Sequence, residues 1–219
     1  MAALPLGLRL RRRTHRSVAL AQDMIVAEAY DIFPDCVLHG GTAIWRCYRG
    51  GRFSEDVDFY LPTGGEQEIR RFRRGVAANG MVELKFKATA STVFAKFSHS
   101  ETVVSFEAAK RAPPPSVVRP YEMLDGSFAL VNTLSPEELI IEKSSAYTGR
   151  RKVRDLYDIF FLLNRVEERD RVTAPLARMI REYRAPADEA TLKATIIAGA
   201  VPSAEVMLGA IERWVERST

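Results

Sequence analysis

Apolar and polar positions divide the chain into a strand-rich front and a helical back. Residues 16–33 carry Val18, Ala21, Ile25, Ala29 and Ile32 at helical spacing, which predicts a helix that Pro34-Asp35 ends. Cys36-Val37-Leu38-His39 reads as a short strand running into Gly40-Gly41. A helix is predicted over 42–48, with Ile44 and Trp45 apolar and Gly50-Gly51 ending it. Over 53–61 the pattern alternates: Val57, Phe59 and Leu61 take one face of a predicted strand, and Ser54, Asp56 and Asp58 the other. A turn at Pro62-Thr63-Gly64-Gly65 leads into a helix over 66–79. Val82, Leu84 and Phe86 then alternate with Glu83, Lys85 and Lys87, and further strands are predicted over 92–97 and 102–107. Pro113-Pro114-Pro115 requires a loop.

A short strand over 128–132 precedes Ser135-Pro136-Glu137-Glu138, a strong helix start with proline in the first turn. Helices are predicted over 136–147 and 152–164, with Thr148-Gly149 between them and Leu156, Ile159, Phe160 and Leu163 as the stripe of the second. Beyond Asn164 the chain reads as helical to its end, with Met207, Ile211, Trp214 and Val215 on one face. Strands in front and helices behind predict an α+β fold with a helical C-terminal portion, divided as 1–133 and 134–219.

Composition narrows the function classes. No apolar run approaches the roughly 20 residues of a membrane helix, and the stretch from Met1 to Gly7 is too short for a signal peptide. No membrane partner, a cytoplasmic location and a monomer are expected. Cys36 and Cys47 lie eleven apart with no second pair, which disfavours a zinc site and fits core roles. The net charge of +4 understates the electrostatics, because arginine is clustered at 9–16, 70–74 and 150–154. Any one cluster also reads as a solvated helix face. Three together favour a polyanionic partner, with phosphate contacts better supported than base stacking.

The candidate chemistry sits in the front half. Asp56 and Asp58, at i and i+2 of a strand, project to one side and can share a hard cation such as magnesium, which prefers carboxylate oxygen. Upstream, Gly40-Gly41-Thr42 lies between strand and helix, where glycine lets backbone approach a phosphate and helix amides favour anions. Thr42 or Ser54 adds a hydroxyl for a triphosphate. A Gly-Gly turn or an Asp-x-Asp alone is weak evidence; their ordered combination is far more specific. None of the three histidines has a second ligand at metal spacing; His39 fits either a triphosphate contact or packing beside the turn.

The segment from Leu38-His39-Gly40-Gly41-Thr42 to Arg52-Phe53-Ser54-Glu55-Asp56-Val57-Asp58-Phe59 closely resembles the AbiEii/AbiGii toxin family of nucleotidyltransferases, which includes the MenT toxins. Ser135-Pro136-Glu137-Glu138-Leu139-Ile140-Ile141-Glu142-Lys143 and Arg154-Asp155-Leu156-Tyr157-Asp158 resemble its later motifs. The resemblance implies a polymerase-β-like nucleotidyltransferase mixed sheet, with the helical portion completing the active-site cleft. It implies transfer of NMP from an NTP to the 3′ end of RNA, tRNA above all, with translation blocked and a cognate antitoxin encoded nearby. Magnesium, with manganese as an alternative, is the implied metal.

Residue roles follow from the match. Asp56 and Asp58 are the metal carboxylates; Gly40, Gly41, Thr42 and Ser54 line the nucleotide; Lys143 is a cation for the triphosphate or the departing pyrophosphate. Asp158 is expected to hold Lys143 or the nucleotide, against a rival reading in which Arg154 pairs with it at i,i+4. Glu107 is expected as third metal carboxylate and general base, with Glu83 as its rival. RNA contacts are expected at Arg11, Arg12, Arg13, Arg150 and Arg151. Nucleotidyl transfer to a protein or small molecule, and a non-catalytic nucleotide-binding module, stay open as alternatives.

Overall fold

The computed structural model describes residues 4–217. A short helix α1 (Leu6–Arg9) and the long α2 (Arg13–Ile32) precede β1 (Val37–His39), α3 (Gly40–Cys47) and β2 (Val57–Tyr60). Helix α4 (Glu66–Ala78) leads to β3 (Val82–Ala88), β4 (Thr92–His99) and β5 (Thr102–Ala109), then β6 (Ser116–Glu122) and β7 (Phe128–Leu134). The strands form one seven-stranded mixed sheet in the order β3-β4-β5-β2-β1-β7-β6. Strands β3, β4 and β5 pair antiparallel, β5 runs parallel to β2, and β1 runs antiparallel to β2 and parallel to β7.

Alternation decides what each sheet face does. Val57, Phe59, Val93, Ala95, Phe97, Val104 and Phe106 are all buried on one face. There Phe72 of α4 packs 4.7 Å from the Phe106 ring, and Tyr30 of α2 meets Phe59 edge-on at 5.7 Å. The opposite face of β3, β4 and β5 carries Lys85, Lys87, Lys96 and Glu107 beside Phe94 and the exposed Val82 and Val103. The sheet departs from the sequence reading in three places. A bulge between Glu83 and Lys85 breaks the alternation expected of β3 and leaves Val82 and Leu84 exposed. Strand β6 is absent from the elements predicted by the sequence; it contains Pro120 and forms at the sheet edge, where proline is tolerated. Strand β2 begins only at Val57, so Asp56 precedes the strand rather than lying in it.

Contacts divide the chain into two units, Met1–Arg49 with Phe53–Thr133 and Gly50–Arg52 with Leu134–Thr219. The second is helical: α5 (Pro136–Arg150), α6 (Val153–Leu162), a 3-10 turn, α7 (Arg169–Arg181), α8 (Leu192–Thr195) and α9 (Ala204–Glu216). Ser135 caps α5 by accepting from the Glu138 N–H at 3.3 Å. Helix α5 runs through Thr148-Gly149, since one glycine costs only about 1 kcal/mol, and closes at Arg151 with φ 50°. The expected continuous helicity after Asn164 is interrupted at 166–168, 182–188 and 196–203. Leu139, Ile140, Leu156, Ile159, Leu176, Met207 and Ile211 make this unit's core. Residues 50–52 are stitched into it by the Ile197 N–H donating to Gly51 O at 2.9 Å and a bridge between Arg52 and Ile196. No helix among the described residues is long and apolar enough to cross a membrane.

Candidate active site

The segment before β2 carries Ser54 and Asp56 without a strand ladder, and buried side chains hold it instead. Thr42, fully buried in α3, donates its hydroxyl to Asp56 O at 2.5 Å. Its proton therefore serves the backbone of the aspartate segment. Gln22 of α2 donates to Ser54 O at 2.9 Å and lies 3.4 Å from the Thr42 hydroxyl. Arg46, itself ion-paired with Asp23 and donating to Glu122 O, reaches the Gln22 amide oxygen at 3.5 Å. A buried polar relay thus runs from Arg46 through Gln22 and Thr42 to Asp56. Sequence reasoning missed Gln22, although it falls four residues after Val18 on the apolar stripe of α2, where a polar residue asks for a partner.

Gly40 opens α3 at φ +72°, a conformation that favours glycine. A Cβ there would collide with the Asp58 carboxylate, which lies against this turn. Aspartate beside a helix N-terminus is favoured by the helix dipole. Gly40→Ala is therefore expected to lose at least about 1 kcal/mol of stability through left-handed strain and to displace Asp58. Thermal melts and transfer rates of the purified variant check both effects together; a variant with unaltered rate would separate Gly40 from the site.

Asp58 is flanked in register by His39 on β1 and Glu107 on β5, so the three side chains share one sheet face. His39 stacks on Tyr60 with centroids 4.2 Å apart. Glu83, the rival to Glu107, is taken by Arg73 in a two-pronged pair at 2.6 and 2.8 Å. Among the described residues, no three His, Cys, Asp or Glu side chains gather as a ready metal cage, while Glu107 is the carboxylate in register with Asp58. These oxygen donors, with no sulfur or paired imidazole, suit a hard divalent cation.

The second unit holds Lys143 and Asp158 in a buried charge network. Asp158 receives Arg52 Nε and Nη2 at 2.6 Å each and Lys143 Nζ at 2.9 Å. Lys143 also meets Asp155 at 3.3 Å, and Arg150 grips Asp155 at 2.7 Å through two nitrogens. Lys143 is only 6% exposed, which rules out a solvent-facing helix residue. Asp158 lies with Arg52 and Lys143 rather than with Arg154, which is exposed. Burial alone would raise the Asp158 carboxyl, but the Arg52 and Lys143 charges outweigh it and hold it below the usual carboxylate range. Arg52 went unnoticed in the sequence, since its partner lies 106 residues away.

The residues expected to contact RNA differ in their local settings. Arg11, Arg12 and Arg13 are exposed at the start of α2, Arg151 is exposed at the end of α5, and Arg150 is committed to Asp155. Cys36 and Cys47 are buried, and burial pushes the Cys47 thiol up to about 12.

Residues 25–214 match the family model of nucleotidyl transferase AbiEii toxins of type IV toxin–antitoxin systems. No curated protein matches the sequence significantly. Among solved structures, the chain resembles MenT4, a nucleotidyltransferase toxin from Mycobacterium tuberculosis H37Rv, at 19% identity over 97% of this chain and 89% of that one, with a TM-score of 0.66. It also resembles JHP933 from Helicobacter pylori at 22% identity over 91% of this chain and 90% of that one, with a TM-score of 0.60. The shared architecture is the α+β, polymerase-β-like nucleotidyltransferase fold.

Proposed function

We propose that this chain, which belongs to the AbiEii family of nucleotidyl transferase toxins, transfers NMP from an NTP to the 3′ end of RNA, with a tRNA acceptor end as the preferred substrate and arrested translation as the outcome. The observation that carries the reading is the placement of Asp56 and Asp58: one fixed through its backbone by Thr42, the other packed against the Gly40 turn at the start of α3. Asp56 and Asp58 hold a divalent cation, magnesium above all, which supplies neutralisation of the phosphate oxygens. Ser54, two residues before Asp56, and the amides of Gly40 and Gly41 face the triphosphate. Glu107, beside Asp58 in register, accepts the proton of the attacking hydroxyl. The oxygen of that hydroxyl bonds to the α-phosphorus as the bond to pyrophosphate breaks. Lys143, fixed by Asp155 and Asp158, is the cation assigned to the triphosphate.

Exposed arginines at the start of α2 support a phosphate-rich substrate. Cations at a helix N-terminus oppose the dipole by a few tenths of a kcal/mol, roughly 0.3–1 each, and a polyanion would offset that cost. The family also implies an antitoxin partner, and we place the protein in the cytoplasm.

The test is incubation with each labelled triphosphate, magnesium and total RNA. Label on RNA 3′ ends is expected; label on protein or a small molecule instead would favour the other acceptors. Chelation with EDTA is expected to abolish labelling, and added magnesium or manganese to restore it. Labelling that survives chelation would remove the metal from the scheme.

A further inference from the structure

One sheet row crosses five strands through the candidate site: Lys87, Phe94, Glu107, Asp58 and His39 are successive register partners. The next row on the same face carries Lys85, Lys96 and Ser105. Lys85, Lys87 and Lys96 are exposed. Lys85 Nζ lies 5.4 Å from the Phe94 ring, so cation and aromatic already form one surface. Of the two acids on β3, β4 and β5, Glu83 points to the other face and is held by Arg73. Glu107 is the one beside Asp58. Charge therefore changes sign along the face, from basic on β3 and β4 to acidic at the candidate metal carboxylates.

We infer that this face of β3, β4 and β5 is the acceptor-strand platform, on which a base near the 3′ end of single-stranded RNA stacks on Phe94 while Lys85, Lys87 and Lys96 contact its phosphates. The inference rests on the RNA reading above and gives it a location. Charge complementarity and the aromatic select the occupant: base stacking on a π-face tolerates any sequence, and lysines follow a backbone without reading it. Two inter-strand spacings, roughly 10 Å, separate Phe94 from Asp58. A base seated on Phe94 therefore holds the strand at a fixed distance from the reacting centre.

The experiment uses the full chain and a 5′-fluorescein single-stranded oligoribonucleotide, with binding followed by anisotropy at several salt concentrations. The triple variant K85A/K87A/K96A is expected to flatten the log–log salt dependence by about 2, since each lost phosphate contact on a single strand contributes about 0.7. Phe94→Leu, which keeps an apolar side chain, is expected to weaken binding roughly tenfold with an unchanged salt slope. In the transfer assay both variants raise KM for RNA and leave KM for the triphosphate alone. Unchanged RNA affinity in both variants, with RNA still labelled, would overturn the platform and leave the RNA reading standing. A blunt RNA duplex bound as tightly, and weakened as much, would overturn the single-strand assignment. Failure of the unaltered protein to label any RNA would overturn the parent reading, and the platform with it.

Discussion

Replacing Asp58 by asparagine is expected to lower nucleotidyl transfer on the order of a thousandfold while the protein stays folded. Asparagine has the shape of aspartate, so packing against Gly40 is kept. What is lost is the full negative charge that a divalent cation needs, and with it the neutralisation of charge developing on the leaving pyrophosphate. Asp56→Asn is expected to behave alike, because Thr42 grips the Asp56 backbone, and that bond survives the substitution. The measurement is single-turnover transfer at saturating magnesium, with circular dichroism and a thermal melt as controls for folding. A loss below about tenfold in both variants, with intact melts, would mean that the metal is held elsewhere. Recovery of Asp58→Asn by raised manganese would fit weakened ligation and support the assignment.

The second large effect is on stability. Asp158→Ala is expected to destabilise the protein by about 3–5 kcal/mol, the cost of leaving buried charges without their partner. Arg52 and Lys143 would then lie together with one shared carboxylate gone. For a chain of this length that corresponds to a melting point lower by on the order of 10 °C. The double variant R52M/D158L removes a cation with the carboxylate and is expected to regain much of the loss, because a well-packed apolar pair substitutes for a buried ion pair. An Asp158→Ala protein melting within a degree or two of the unaltered one would refute the buried network as a structural element.

The same network sets a pH dependence. The folded Asp158 carboxyl titrates below its unfolded value, so its contribution is fully present above the unfolded pKa of about 3.9 and disappears as pH falls through the folded value. Stability is expected to drop on the acid side of about pH 4, with a shallower drop in Asp158→Asn.

What the sequence disclosed follows a physical rule: a signal is readable when the partner is local. The alternation of β4 and β5 and the stripe of α6 report one buried face each, and these elements are found at their expected places. Asp56 and Asp58 stood out because their neighbours in sequence, Val57 and Phe59, are core residues. The strand assignment for Asp56 went too far, because alternation continues where the ladder stops; β5 pairs with β2 only from Val57 to Tyr60. Strand β6 contains Pro120, and sequence does not disclose which strand becomes an edge. Gln22, Arg46 and Arg52 were silent for another reason. Each is a polar residue whose meaning depends on a partner brought close by the fold, such as Ser54, Asp23 or Asp158.

Arg52 also imposes an order on synthesis. It emerges early, yet its carboxylate partner is made 106 residues later. At about 5–20 residues per second, that interval lasts roughly 5–20 s on the ribosome. Throughout it, the guanidinium has no Asp158 to receive it. A nascent chain therefore carries Arg52 well before it carries the carboxylate that fixes it. The buried Arg52–Asp158 pair can close only after α6 has been made.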